Sequence, residues 1–205
     1  MKVFNIYCVA RNYKEHAKEM KSAVPEEPIF FQKPSVCVTT EPILYIPPDK
    51  EIHYELEIVA RITKPGYQIP QELVWDHVGE LCLGLDLTDR PLQTKLKKAQ
   101  LPWFLAKSFL GSAVLTQFKP IDFKLWENNF WLKIDGTIVQ SAYMKDMIFS
   151  IPFLIEYLSA RIPLMENDII FTGTPSGVGS LNDEDKLSMG IGDTIESNFL
   201  VTLNN

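Results

Sequence analysis

The sequence predicts a β-rich α+β fold, and three observations carry that reading. Residues 51–62 alternate, with Ile52, Tyr54, Leu56, Ile58, Ala60 and Ile62 on one face and Glu51, His53, Glu55, Glu57, Val59 and Arg61 on the other. This is the period of two that marks a strand, broken only at Val59. Leu81–Leu87 is a nearly all-apolar run, and Asp135-Gly136 between Phe130–Ile134 and Thr137–Gln140 is a strong hairpin signal. Fourteen prolines against ten glycines further favour many turns and short elements.

Taken in order, Val3–Ala10 is mostly apolar, interrupted by Asn5 and followed by no small-residue cleavage site, so it reads as a first strand rather than a leader. Asn12–Met20 has helical composition with Asn12 placed as its cap. The proline-rich stretch Pro25–Pro34 reads as extended loop, and Ser35–Thr40 and Ile43–Ile46 as short strands around a turn. Beyond the alternating strand and the Leu81–Leu87 strand, Arg90–Lys98 and Ile151–Ser159 read as helices. Asp168–Thr172 reads as a strand entering the glycine-rich loop Thr172–Gly179, and the C-terminal segment as strand. No repeat, low-complexity tract or flexible linker divides residues 1–205, so one domain is expected.

Composition narrows the class. The 205 residues are 46% hydrophobic and 22% charged, enough to bury a sizeable core. A net charge of -6 argues against a nucleic-acid partner, which needs clustered Lys and Arg. The one short basic cluster, Lys95, Lys97 and Lys98, fits a solvated helix face better than an anion-attracting rim. Cys8, Cys37 and Cys82 are odd in number and set among apolar residues, as reduced buried thiols are. No run approaches the roughly 18 apolar residues of a membrane helix, so no membrane partner and a cytoplasmic location are expected.

Several side chains suggest chemistry. Glu55 and Glu57, two apart on a strand, point to one side. They read either as a solvated polar face or as two ligands of a divalent cation. Asp86 lies inside the apolar run Leu81–Leu87, where a carboxylate needs a cationic partner such as Arg90, or a metal. Three carboxylates from two strands would make an all-oxygen site suited to Mg²⁺ or Mn²⁺. Zinc does not fit, because no Cys/His cluster has ligand spacing. His16 and Glu19, three apart on the first helix, are a surface pair or a carboxylate-supported general base. Lys107, in the apolar Trp103–Phe109 segment, either stabilises an oxyanion or snorkels to the surface. The Thr172–Gly179 loop has neither P-loop nor dinucleotide spacing, although its backbone amides can hold a carboxylate.

In order along the chain stand Ala10-Arg11-Asn12-Tyr13 with His16 and Glu19, Phe31-Gln32-Lys33-Pro34, His53-Tyr54-Glu55-Leu56-Glu57 and Leu85-Asp86-Leu87-Thr88-Asp89-Arg90 with Gln93. Ala106-Lys107-Ser108-Phe109, Asp135-Gly136 with Gln140, and Gly173-Thr174-Pro175-Ser176-Gly177-Val178-Gly179 complete the set. This ordered series resembles the fumarylacetoacetate hydrolase superfamily, and within it the acylpyruvate hydrolase and oxaloacetate decarboxylase-like branch. The resemblance implies a mixed β-sandwich roll, a homodimer, and Glu55, Glu57 and Asp86 as ligands of Mg²⁺ or Mn²⁺. It also implies a catalytic His16–Glu19 dyad on a lid over about residues 12–20, an active-site Lys107, and Arg90, Gln93 and Thr174 as contacts to a small 2-keto acid. Ala10 and Asn167 stand where the family usually has glycine, and Ser180–Lys186 lacks the usual proline and glycine, which affects turns more than chemistry.

The reaction expected first is hydrolysis of a C–C bond in an acylpyruvate-type 2-keto acid, through a pyruvate enolate stabilised by the metal. Its rivals are an oxaloacetate decarboxylase or tautomerase, a 2-hydroxyhepta-2,4-diene-1,7-dioate isomerase, and a non-catalytic small-molecule binder on the same scaffold.

Overall fold

A computed structural model describes residues 3–19 and 23–203. Among them the strands form three sheets. The largest runs, in spatial order, Ile29–Lys33, Ile6–Ala10, Ile169–Phe171, Leu56–Ile62, Val78–Asp86, Ala113–Leu115 and Val38–Thr39, with Lys119–Pro120 paired to Val78–Asp86 at the side. It is mixed, because Ile6–Ala10 runs parallel to Ile169–Phe171 and Val38–Thr39 parallel to Ala113–Leu115. The second sheet runs Thr137–Ala142, Phe130–Ile134, Lys186–Ile191, Thr194–Leu203, Ile43–Ile46. The third joins Gly179–Ser180, Ile52–Tyr54 and Thr88–Asp89. The fold is the mostly β, curled α+β architecture that the alternating runs predict.

The main core draws residues from all three sheets, including Ile58 and Leu83 from the first, Phe130 and Met189 from the second and Ile52 from the third. Val59, which interrupts the polar face in the sequence, belongs to a second apolar cluster with Ile6, Cys8, Cys82 and Phe171. Successive side chains of a strand point to opposite faces, so Leu56–Ile62 is covered on both sides. The three cysteines are free and buried. No helix among the described residues is long and apolar enough to cross a membrane.

Several boundaries differ from the sequence reading. The Glu51–Ile62 segment is two strands, Ile52–Tyr54 and Leu56–Ile62, lying in different sheets and broken at Glu55. Part of Pro25–Pro34 is not loop, since Ile29–Lys33 pairs antiparallel with Ile6–Ala10; the stretch between Pro28 and Pro34 has no proline to deny the ladder its amides. Ser35–Cys37 is a 3₁₀ turn, closed by the Cys37 amide on the Pro34 carbonyl at 2.9 Å, and only Val38–Thr39 is strand. The first helix spans Lys14–Glu19, and Met20 lies outside the described residues.

Asn12 does not cap that helix. Its side-chain oxygen accepts from the Phe149 amide at 2.7 Å, while its nitrogen donates to the Phe149 and Thr172 carbonyls at 2.9 and 2.8 Å. It therefore pins the root of the first helix to two later segments. The Asp135-Gly136 turn forms as expected, both residues having positive φ. Beyond it the hairpin carries a bulge: Leu132 pairs with Gln140 but Lys133 with Ile138, which leaves Val139 as the extra residue.

We predict that Asn12→Ala lowers unfolding free energy by about 3 kcal/mol, since three fully buried backbone groups lose their partner. Urea denaturation measures it; a loss under about 0.5 kcal/mol, the usual effect of an inert surface change, would show that Asn12 pins nothing.

Candidate active site and metal centre

The strand break at Glu55 builds the site. The Asp86 amide donates to the Glu55 carbonyl at 2.9 Å, and the next amide, Leu56, donates to Gln140 Oε1 at 2.9 Å instead of to a strand. Glu57 follows on Leu56–Ile62, and Asp86 ends the neighbouring Val78–Asp86 strand. The three carboxylates, all buried, each bring an oxygen within 4.8 Å of the others. The solvated-face reading of Glu55 and Glu57 is thereby overturned.

Three cations answer them. Lys107 Nζ donates to Glu55 Oε2 at 2.7 Å and Asp86 Oδ2 at 2.6 Å, and Arg90 donates to Glu55 Oε1. Lys33 Nζ donates to the carbonyls of Leu87, Lys107 and Ser112, which uses all three of its hydrogens. It also lies 2.7 Å from Asp86 Oδ1, which receives no hydrogen bond; the contact is purely electrostatic. Asp86 thus pairs with Lys33 and Lys107, not with Arg90. Lys107 is held in the interior and does not snorkel.

These neighbours set the charge states. Burial pushes the Glu55 carboxyl up, but Lys107, Arg90 and His16 together hold it well below the usual carboxylate range. Burial raises Glu57 well above that range, with Asp86 and Glu55 adding to it, against the Gly173 amide that donates to Glu57 Oε2 at 2.6 Å. Burial disfavours the Lys107 ammonium, yet Asp86 and Glu55 outweigh it and raise its pKa.

The donor set fits a hard divalent cation. One oxygen from each carboxylate lies within 4.8 Å of the others, against about 3 Å between adjacent ligands of an octahedral shell with 2.0–2.1 Å bonds. Asp86 Oδ1 has as its close partner only the Lys33 ammonium, whose hydrogens go to three carbonyls, and among the described residues no cationic side chain bonds Glu57. Both are what a metal would satisfy.

Beside the triad a cavity of about 310 Å³ is lined by His16, Arg90, Gln93, Lys107 and Thr174, with Phe31 and Trp103 as apolar walls. His16 is buried, and its Nδ1 lies 3.2 Å from Glu19 Oε2. A carboxylate only accepts, so Nδ1 carries the hydrogen and Nε2 is the basic nitrogen. Burial lowers the His16 pKa below its ordinary 6.5, partly opposed by Glu55 and Glu19. Glu19 also accepts from the Gly177 amide at 3.1 Å, at a glycine whose φ of +95° few side chains adopt. The glycine loop thus holds carboxylates as its pattern suggests, but they are the chain's own Glu57 and Glu19.

Arg90 opens its helix behind Asp89, whose side chain accepts from the Leu92 amide at 3.1 Å, and donates to Gln93 Oε1 at 2.6 Å. Gln140 Nε2 donates to Thr174 Oγ1 and to the Pro175 carbonyl, both at 2.9 Å, joining the hairpin to the loop. All nine sequence-designated residues converge: eight line the cavity and Glu19 supports one of them. Sequence reasoning gave no role to Lys33, Gln140, Arg11 or Trp103, and it placed Lys97 on a solvated face. Lys95, Lys97 and Lys98 are all exposed, as a solvated face requires, and Lys97 in addition lines the cavity rim, its Nζ 5.0 Å from the Trp103 ring centre. The forewarnings for Lys33 were its place just after the apolar run Ile29-Phe30-Phe31 and within the Phe31-Gln32-Lys33-Pro34 motif.

Comparison with known proteins agrees with this geometry. The family model described as fumarylacetoacetate (FAA) hydrolase C-terminal matches residues 5–204. The mitochondrial oxaloacetate tautomerase FAHD1 of Homo sapiens is 42% identical over 202 residues, covering 96% of this chain and 91% of the relative. Its Arabidopsis thaliana counterpart is 38% identical over 198 residues, covering 95% and 89%. A crystal structure of fumarylpyruvate hydrolase from Pseudomonas aeruginosa, in complex with Mn²⁺ and pyruvate, superposes with a TM-score of 0.91 at 34% identity, covering 98% of this chain and 91% of that one.

Glu57 supplies a test. A carboxyl whose folded pKa lies above its unfolded value stabilises the protein below the unfolded value and loses that contribution as pH rises through the folded one. At neutral pH, without metal, Glu57→Gln should therefore melt no lower than the parent. Millimolar Mg²⁺ or Mn²⁺ should raise the parent's melting temperature, with a gain of about 2.7 kcal/mol at a hundredfold excess over Kd, and leave the variant unmoved. A metal-induced shift of equal size in both would remove Glu57 from the ligand set.

Proposed function

Because the chain belongs to the fumarylacetoacetate hydrolase family and is an enzyme of it, we propose that it interconverts the keto and enol forms of a short 2-keto diacid, oxaloacetate foremost. The site is a divalent cation, Mg²⁺ or Mn²⁺, held by Glu55, Glu57 and Asp86. The observation that carries this reading is three buried carboxylates opening on a cavity that also holds a histidine biased to its neutral form. Tautomerisation is placed ahead of the hydrolysis expected from sequence because the oxaloacetate tautomerases are the more similar relatives, at 42% against 34% for the fumarylpyruvate hydrolase.

When bound, the cation supplies a Lewis acid for the charge that develops on the 2-oxygen of the keto acid. Arg90, already forked between Glu55 and Gln93, orients the carboxylate next to it. Thr174 Oγ1 accepts from Gln140 at 2.9 Å and donates only a long 3.4 Å bond to the Pro175 carbonyl, which its hydrogen can leave to turn toward substrate. His16 Nε2 takes a proton from C3 and returns it to the 2-oxygen, giving the enol; the reverse transfer restores the ketone. Glu19 keeps the imidazole in that tautomer, and the Lys107 ammonium stabilises negative charge beside the triad.

A second reading, C–C hydrolysis of an acylpyruvate, is favoured by the His16–Glu19 pair and by the pyruvate held in the Pseudomonas aeruginosa fumarylpyruvate hydrolase. There the same nitrogen would take a proton from water attacking the distal acyl carbonyl, with Lys107 at the carbonyl oxygen. In both readings residues 1–205 act as one catalytic domain with a lid near 12–20, and the assembly is a homodimer. Exposed apolar side chains such as Val36, Leu105 and Leu110 would suit contact with a second copy. Buried free cysteines support a reducing compartment, whether the cytoplasm or the mitochondria named for the relatives.

Initial rates on keto and enol oxaloacetate and on acetylpyruvate, with and without Mg²⁺, separate the readings. The expected result is metal-dependent interconversion of the oxaloacetate forms, reduced on the order of 10²–10⁴-fold by His16→Ala. Since only neutral His16 accepts a proton, the rate should fall as pH drops through its pKa and hold its plateau to a pH below that of an ordinary histidine. Wild-type rates in His16→Ala, or an acid limb above pH 7, would exclude His16 as the base; metal-dependent cleavage of acetylpyruvate without tautomerisation would favour the second reading.

A further inference from the structure

Lys33, Arg90 and Lys107 are all engaged by the triad, through ion pairs to Glu55 and Asp86. Two more cations line the same cavity without such a partner. Lys97 Nζ makes no hydrogen bond or ion pair among the described residues, and its nearest fixed contact is the face of Trp103. Arg11 Nε is buried with no hydrogen-bond partner, on a residue whose backbone is left-handed at φ 59°. A non-glycine residue in that region is uncommon, and it sits at the cavity wall. Lys97 is exposed at the cavity rim and Arg11 is half-buried, so among the described residues two positive charges meet the cavity with no carboxylate bonded to either.

The helix places Lys97 with intent. Arg90, Gln93 and Lys97 are spaced three and four apart, so they share one face, and all three reach the cavity. Lys97 lies two turns, about 10 Å, beyond Arg90, and helical side chains lean toward the N-terminus. Its ammonium is thus presented back toward the substrate end from farther along the cavity. Burial lowers its pKa, Arg90, Lys107 and Arg11 lower it further, and Glu55 is the anion that opposes them.

We infer that Lys97 and Arg11 form a second anion subsite, which takes the far carboxylate of a dicarboxylic 2-keto acid. The inference rests on the reading of the triad as the end that holds the keto-acid head. It names what that reading leaves open, the second carboxylate as the selected feature. A ligand with one carboxylate satisfies the head end alone; a dicarboxylate also neutralises the two free cations. The Trp103 ring lies 5.0 Å from the Lys97 ammonium and Phe31 adds an apolar wall to the cavity, so the polar discrimination between ligands falls on charge.

Calorimetric titration of the Mg²⁺-loaded protein with pyruvate and with 3,3-difluorooxaloacetate, which keeps both carboxylates but has no C3 hydrogen to lose, tests it. The parent should bind the dicarboxylate more tightly than pyruvate. Lys97→Gln should weaken the dicarboxylate about tenfold or more, the scale of a lost charge-assisted hydrogen bond, and leave pyruvate within about twofold. Equal weakening of both ligands, or of neither, would overturn the subsite while leaving the head-end reading standing. If the Mg²⁺-loaded parent takes up neither ligand, the triad reading fails and the subsite falls with it.

Discussion

Mutual repulsion of three carboxylates in a dry interior is the constraint on which this molecule is organised. Each ionised group carries a desolvation cost of several kcal/mol, and three of them lie within 4.8 Å. Lys33 at the end of one edge strand and Lys107 on the short helix packed against it both reach them, and Arg90 arrives from the start of its helix. Lys33 is itself immobilised by three backbone carbonyls, so its charge is a fixed part of the scaffold. Glu57 is left without a cationic side chain on it and is the carboxyl pushed toward protonation. Charge at the site is thus unevenly spread: the cations gather on Glu55 and Asp86 and leave Glu57 uncovered.

Much of this was legible in the chain. A carboxylate in the run Leu81–Leu87 had to find a countercharge, and the alternation at 51–62 put two glutamates on one side. The ordered motifs carried the family and with it the fold. What escaped was whatever depends on pairing between distant segments. The alternation is the same on both sides of Glu55, so nothing local says that the chain changes sheets there. Val59 looked like a flaw because the second apolar cluster that covers it is assembled from five other segments. Asn12 looked like a cap because a cap and a long-range clamp use the same side-chain atoms. Lys97 is as exposed as its helix neighbours Lys95 and Lys98, and only the packing of Trp103 beside it sets it at the cavity rim.

The glycine loop has a role its pattern only partly announced. Its Gly173 amide steadies Glu57, its Gly177 amide steadies Glu19, and Thr174 between them faces the cavity. One short run of backbone therefore references both Glu57 of the carboxylate triad and the helix that bears His16. Placement of His16 and placement of the triad are not independent, because both are measured from the same peptide planes.

The Val139 bulge shows how far such dependence reaches. Gln140 points inward to the Leu56 amide and to Thr174 only because one surplus residue shifts the hairpin register just before it. The Gly177 backbone lies so close to the Val139 carbonyl that a side chain there would sit 2.1 Å from the oxygen. In a strand a one-residue slip turns every later side chain to the opposite face. The arm from Phe130 to Ala142 can thus drift in composition but not in length: losing a single codon there would swing Gln140 outward and unseat the loop, although no atom of that arm touches the carboxylates themselves.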